Sequence, residues 1–202
     1  MSAPGEEAVP ASKLIGRRRY LGYFIFIVNL PTLALTAYEV ALKLSDWAGW
    51  NSPDFFSDLI LLALSFGLAF VLPRWLPVFA STYRLTGTGL KISRFLKGAV
   101  TVPYPSIARA DVYVQDKRSG KVSKEALQYA KESADELRKS GFKFSDYTND
   151  ETNIVLLISG KGIFLLSPMY PKAFIQKLRK RAGTFPATMV ELSHSGKRTR
   201  EI

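Results

Sequence analysis

Residues 153–181 read NIVLLISGKGIFLLSPMYPKAFIQKLRKR, and the change of period within them decides the fold. Residues 154–159 and 163–166 are short apolar runs around Gly160-Lys161-Gly162, the pattern of a β-hairpin covered on at least one face. Pro168 and Pro171 stop the second strand, and Pro171 suits a first helical turn. Phe174, Ile175 and Leu178 then form a one-sided stripe, while Lys177, Arg179, Lys180 and Arg181 gather toward the C-terminal end, where cations complement the helix dipole. The pattern predicts a helix that plugs the open end of a small curved sheet.

Upstream, the same strand rhythm recurs. TYRL (82–85), TGTG (86–89) and LKISRF (90–95) read as strand, tight turn and strand, with Tyr83, Leu85, Leu90 and Ile92 alternating with Arg84, Lys91 and Ser93. AVTVP (99–103) and IARADVYVQ (107–115) add two more strands, and four short strands with tight turns predict an antiparallel meander. Residues 115–150 are charged, with Leu127, Ala130, Ala134 and Leu137 at helical spacing and Ser123 as the expected N-cap. A stripe so narrow and alanine-rich predicts a helical insertion lying on the domain or the membrane, outside the core, or one that binds a partner. Residues 183–202, with Lys197, Arg198 and Arg200, read as a flexible basic tail.

Residues 1–80 differ in kind. The stretches 20–44 (YLGYFIFIVNLPTLALTAYEVALKL) and 55–72 (FFSDLILLALSFGLAFVL) are each long and apolar enough to cross a bilayer, and the short link between them makes a helical hairpin. Lys13, Arg17, Arg18 and Arg19 precede the first span and Arg74 follows the second, whereas the link at 45–54 has two aspartates and no cation, so both ends are expected in the cytoplasm. Tyr20, Tyr23, Trp47, Trp50 and Trp75 fall at the expected interfaces. GRRRYLGYF also has the look of an export signal, but the apolar run is longer than a signal segment needs, which favours an uncleaved anchor. Asn29, Pro31 and Gly67 are expected to pack the spans together, and self-association through the hairpin fits this reading. A transport or channel component would instead use Asn29, Glu39 or Asp58, although the two acids lie near the outer interface.

Of 202 residues, 28 are basic and 17 acidic, a formal charge of +11, and the excess lies entirely in residues 81–202. Such a domain favours an anionic partner, phospholipid headgroups or nucleic acid. No nucleic-acid motif is present and the aromatic residues sit at core-like positions, so lipid is preferred. The chain has no cysteine and a single histidine, His194, which removes disulfides, thiolate metal sites and histidine triads and fits a reducing compartment. TGTG lacks the dinucleotide-binding spacing and SGKG (159–162) lacks the phosphate-loop pattern. No cofactor, metal or catalytic set is expected.

YRLTGTGLKI, VPYPSI and LLSPMYPKAFIQKL together resemble the bacterial pleckstrin-homology (PH-like) domain proteins that carry two transmembrane helices, over about residues 55–181. The resemblance implies an α+β membrane protein of the prokaryotic cytoplasmic membrane, with a PH-like antiparallel β-barrel closed by a C-terminal helix and facing the cytoplasm. The charged insertion departs from its simplest members. The expected parts are a basic N-terminal segment (1–19), the hairpin (20–77), the PH-like domain (81–182) and the tail (183–202). TGTG is too short and uncharged to clasp a polyphosphate, so contact with diffuse anionic headgroups or with a protein partner is expected instead. The candidate contact residues are Arg17, Arg18, Arg19, Arg84, Lys91, Arg94, Lys97, Lys177, Lys180 and Arg181. The reading is a scaffold or accessory module without chemistry of its own.

Overall fold

Two prolines shape the long helices. In the computed structural model, which describes residues 6–45, 49–115, 126–160, 162–193 and 196–202, the first helix runs through α1 (Gly16–Phe24), a π-helical segment (Ile25–Asn29) and α2 (Leu30–Ser45). The second runs through α3 (Pro53–Phe66), a π-helical segment (Gly67–Val71) and α4 (Leu72–Trp75). Each π segment ends two residues before a proline, Pro31 or Pro73. Proline lacks the N–H and crowds the carbonyl four residues back, and a wider preceding turn absorbs both defects. Ser52 starts α3 by accepting a hydrogen bond from the Phe55 amide at 3.3 Å, with Pro53 at the first helical position.

Small and polar side chains join the two helices. Gly22, Asn29, Thr36, Ser65 and Ala69 are all buried, and Asn29 Nδ2 donates to the Ser65 carbonyl at 2.8 Å. A Cβ on Gly22 would stand 2.9 Å from the Val78 carbonyl oxygen, so this position requires glycine. Gly67, expected to serve that close packing, does not: a Cβ there would meet nothing within 4 Å. Pro31 is exposed and acts through the backbone rather than by contact. Asp58 is ion-paired with Lys43 across the two helices. Trp47 and Ser123 lie outside the described residues, as do the side chains of Trp50 and Trp75.

Residues 16–79 form one compact unit, and residues 1–15 with 80–202 form a second. In the second unit β1 (Glu7–Val9), β2 (Ser81–Leu85), β3 (Gly89–Arg94) and β4 (Gly98–Pro103) make an antiparallel sheet in that order. The expected N-terminal basic segment thus supplies a strand. Gly89 lets β3 and β4 close up, since a Cβ there would fall 2.4 Å from the Val102 carbonyl oxygen. The meander stops at three of its four expected strands. After Pro103 a 3₁₀ turn (Tyr104–Ser106) redirects the chain, and β5 (Ile107–Gln115) enters another sheet.

That sheet also holds β6 (Lys143–Tyr147), β7 (Asn153–Ser159), β8 (Gly162–Leu166), β9 (Ala187–Ser193) and β10 (Gly196–Glu201), in the order β10-β9-β5-β7-β8-β6. The two sheets are not closed into a barrel, because among the described residues no strand of one is hydrogen-bonded to a strand of the other. Their facing sides share a core of Tyr83, Leu85, Leu90, Ile92, Val112, Val155 and Leu157, which Phe174, Ile175 and Leu178 of α6 (Pro171–Ala182) enter as the stripe predicts.

The helix expected within 115–150 contributes to a core, against expectation. Helix α5 (Ala126–Lys139) buries Ala126, Leu127, Ala130 and Ala134 against Tyr113, Ile154, Leu156, Ile163 and Val190 on the other side of the six-stranded sheet. Alanine lets the helix lie close, and burial on both faces explains the unbroken apolar run of β7. The tail is likewise structured: β9 pairs in parallel with β5, and β10 turns back on β9. Its Met189 and Val190 reach opposite cores, a gain that an isolated tail could not have.

Asn149 gathers the chain where it leaves this unit and where it returns. Its Nδ2 donates to the carbonyls of Ser12 and Ser81, both at 3.0 Å, and its Oδ1 accepts from the Ser81 amide at 2.7 Å. Its backbone carbonyl accepts from the Ile15 amide at 3.0 Å, and its own amide donates to Ser167 Oγ at 2.6 Å. Replacing Asn149 by alanine leaves several buried backbone groups unpaired at about 1–3 kcal/mol each. We expect Asn149→Ala to lower stability by ~3 kcal/mol or more, read as a clear drop in melting temperature in mild detergent. In the hairpin, Gly22→Leu should destabilise by about 1–3 kcal/mol through overpacking while Gly67→Ala leaves the melting temperature unchanged or raised. Equal effects of the two glycine changes would contradict this packing.

Candidate functional site

The charge excess of residues 81–202 raises the question of which cations face solvent unpaired. On β2 and β3, Tyr83, Leu85, Leu90 and Ile92 point inward, so Arg84 and Lys91 stand opposite one another on the outer face, a like-charge pair that is unfavourable by itself. Arg84 is relieved by Glu6 at 3.3 Å. Glu7 does the same for α6, meeting Lys177 at 2.7 Å and Arg181 at 3.0 Å. Lys177 and Arg181 are one helical turn apart, so a single carboxylate on β1 reaches both. Their hydrogen bonds hold the Glu7 carboxyl below its ordinary range.

Arg94, expected at a contact surface, is buried at 3% exposure. Its inward position in β3 forces the guanidinium into the core, where Nε donates to Ser81 Oγ at 2.9 Å and Nη1 and Nη2 donate to the carbonyls of Asp146 and Thr148 at 2.9 and 3.2 Å. Three fixed acceptors offset its desolvation, which makes it a structural clasp between β3 and the end of β6. Lys97 is half-buried beside it, with Nζ donating to the Asp146 carbonyl at 3.1 Å and lying 4.3 Å from the centre of the Tyr147 ring. Burial, and secondarily the Arg94 charge, push its amine below the usual lysine range. Tyr83 is buried in the same region, donating to the Tyr147 carbonyl at 2.7 Å, and desolvation pushes its hydroxyl up to about 12.

Of the predicted contact residues in this unit that are not tied to backbone carbonyls, Lys91 and Lys180 have no acidic partner among the described residues, and Lys180 is exposed on α6. A groove of about 180 Å³ between α6 and the end of β10, lined by Lys172, Gln176, Arg179, Arg200 and Ile202 among others, escaped the sequence reading. The i, i+7 spacing of Lys172 and Arg179 is legible in the sequence, but their partner strand lies in the stretch whose composition predicts a flexible tail. Two of the groove's cations are spoken for: Arg179 Nη2 donates to the Phe185 carbonyl at 2.7 Å and Arg200 pairs with Glu191.

In the helical unit, Arg17, Arg18 and Arg19 occupy the first turns of α1, where the helix dipole disfavours cations. Helix stability therefore does not account for them. Glu39 is exposed, while Asp58 is held by Lys43. Asp111 accepts from Arg109 and Thr188, linking β5 to β9, and Asp150 accepts from the Glu151 amide and the Thr152 hydroxyl, fixing the turn before β7. Among the described residues no group of three or more His, Asp or Glu side chains could hold a metal ion.

The Glu7 contacts carry a pH signature. A depressed carboxyl adds stability above its unfolded value near 4.5, and that stability disappears as pH falls through the lower folded value. Because the pairs are exposed, Glu7→Gln should cost no more than about 1 kcal/mol at neutral pH. The melting temperatures of wild type and variant should converge below that pH, and a constant gap across the titration would refute the assignment. No protein-family model matches the chain, and the searches of curated proteins and of solved structures return no significant similarity.

Proposed function

We propose that the protein is a membrane-anchored interaction module, with the helical hairpin in the bilayer and the β-domain at the cytoplasmic face, where it engages a protein partner or anionic headgroups. The observation that carries the anchor is the exterior of the hairpin. Ile27, Leu35, Ile60 and Leu64 are each more than 60% exposed, whereas the buried positions of this unit include the small or polar Gly22, Asn29, Thr36, Ser65 and Ala69 beside Ile25 and Val40. This distribution is inverted relative to a water-soluble helix pair and matches helices in lipid, where small residues face one another and apolar ones face acyl chains.

The lengths agree. Helices of 30 and 22 residues extend roughly 45 and 33 Å at 1.5 Å per residue, enough for a hydrocarbon core of ~30 Å. Arg17, Arg18, Arg19 and Arg74 at one end, against Asp54 and the Lys43–Asp58 pair at the other, support a positive-inside orientation. The dipole-opposed cations of α1 gain a natural counter-charge from headgroup phosphates. The polar groups of the hairpin support packing rather than a relay, since Asn29 meets a carbonyl and Asp58 meets Lys43.

The PH-like resemblance belongs to the same reading. The meander β2–β4 and the apolar face of α6 support it; the second hairpin β9–β10 and the open sheets are departures from it. An interaction role follows from a rigid, basic β-domain confined near a surface, where even weak contacts act at high effective concentration. Because the chain has no cysteine, single cysteines report topology directly. The protein should stay in the pellet on alkaline carbonate extraction. Asn51→Cys should react with a membrane-impermeant maleimide in intact cells, and Thr184→Cys only after lysis. Release by carbonate would end the anchor reading, and labelling of Thr184→Cys in intact cells would reverse the orientation.

A further inference from the structure

We propose that β4 is a docking edge for an extended acidic segment of a partner protein, which joins the four-stranded sheet as an added strand. The inference rests on reading the β-domain as an interaction module and names the surface and the chemistry it uses. Among the described residues the domain has four sheet edges, β1 and β4 on one sheet and β10 and β6 on the other. An open edge presents unpaired amides and carbonyls, and charged side chains on it discourage further pairing. Three of the four edges are protected in this way. β10 (GKRTRE) is charged along its length, β6 (KFSDY) carries Lys143 and Asp146, and β1 is three residues long with Glu7 pinned by Lys177 and Arg181. β4 (GAVTVP) has no charged side chain, and residues 98–101 are exposed.

The two faces beside this edge define the partner. Val100 lies in register with Ile92 on the core-facing side, yet remains 37% exposed, so the core is open there to an apolar side chain from a neighbouring strand. On the outer side Ala99 and Thr101 are small, and Lys91 stands directly behind Thr101 on β3. A strand added at ~4.8 Å spacing puts its residue opposite Thr101 roughly 10 Å from Lys91, a gap that a glutamate and a lysine side chain bridge over the low threonine. β2, β3 and β4 contain no acidic side chain that would compete. The fitting segment alternates apolar and acidic residues, with main-chain hydrogen bonds providing affinity and the alternate side chains specificity.

The test uses the full chain in mild detergent and two fluorescent probe peptides, one alternating valine with glutamate and one alternating valine with lysine. Anisotropy should show saturable binding of the glutamate probe, at least about tenfold tighter than the lysine probe. Val100→Lys, which puts a charge on the inward side of the edge, should weaken binding by about tenfold or more. Lys91→Glu should reverse the preference between probes. No saturable binding up to about 1 mM overturns the proposal, as does equal binding of both probes. Self-association of the wild type that Val100→Lys abolishes would assign the edge to a second copy and overturn the acidic partner. If Val100→Lys does not fold, the probe comparison with Lys91→Glu still decides. Carbonate extraction is indifferent to all these outcomes, so failure here is separable from failure of the anchor.

Discussion

One buried carboxamide holds the β-domain's chain path together. The domain is built from two separated pieces of sequence, and the join between them is made at Asn149, which binds Ser12 and Ile15 on the outgoing side and Ser81 on the returning side. Each of those groups is a backbone donor or acceptor withdrawn from water, so each costs free energy unless paired, and asparagine is suited to the task because its side chain both donates twice and accepts. With the join made, β1 pairs with β2 and brings Glu6 and Glu7 to Arg84, Lys177 and Arg181. The neutralisation of the basic surface is therefore a consequence of how the chain is tied.

The same economy runs through the buried cations. Arg94 and Lys97 sit where a contact surface was expected, but their donors are directed at carbonyls of Asp146 and Thr148 and their charges at the Tyr147 ring. They fasten the meander to the six-stranded sheet in place of the strand-to-strand hydrogen bonds that would close a barrel. A fold with separate sheets needs such cross-links, because dispersion and burial alone fix the distance between layers but not their alignment. The cost is a smaller free basic surface than the composition suggests.

The two units solve opposite solvent problems. The β-domain hides its apolar residues in two cores, one on each face of the six-stranded sheet. The hairpin exposes most of its large apolar residues and buries Asn29, Thr36 and Ser65 beside Ile25 and Val40. Pro31 and Pro73, each preceded by a π segment, are accommodated by local rewinding of the helix.

Much of this was written locally in the chain. The hydrophobic spans, the strands 82–85 and 90–95, the 154–166 hairpin and the α6 stripe are visible because each depends on periods of 2 or 3.6 within a short window. Other features depend on partners far away in sequence. Alanines of α5 look like a weak stripe until the flat face of β5 and β7 is set beneath them. Residues 187–201 look like a loose tail until β5 offers an edge for parallel pairing. Arg94 shares the inward face of Leu90 and Ile92 by simple alternation, yet its burial is tolerable only because the distant carbonyls of Asp146 and Thr148 meet its guanidinium. Period and composition determined the elements and the division into an apolar hairpin and a basic domain; only tertiary contact decided which cations remained free and which edge remained open, because burial and hydrogen-bond satisfaction are properties of neighbours that no local window contains.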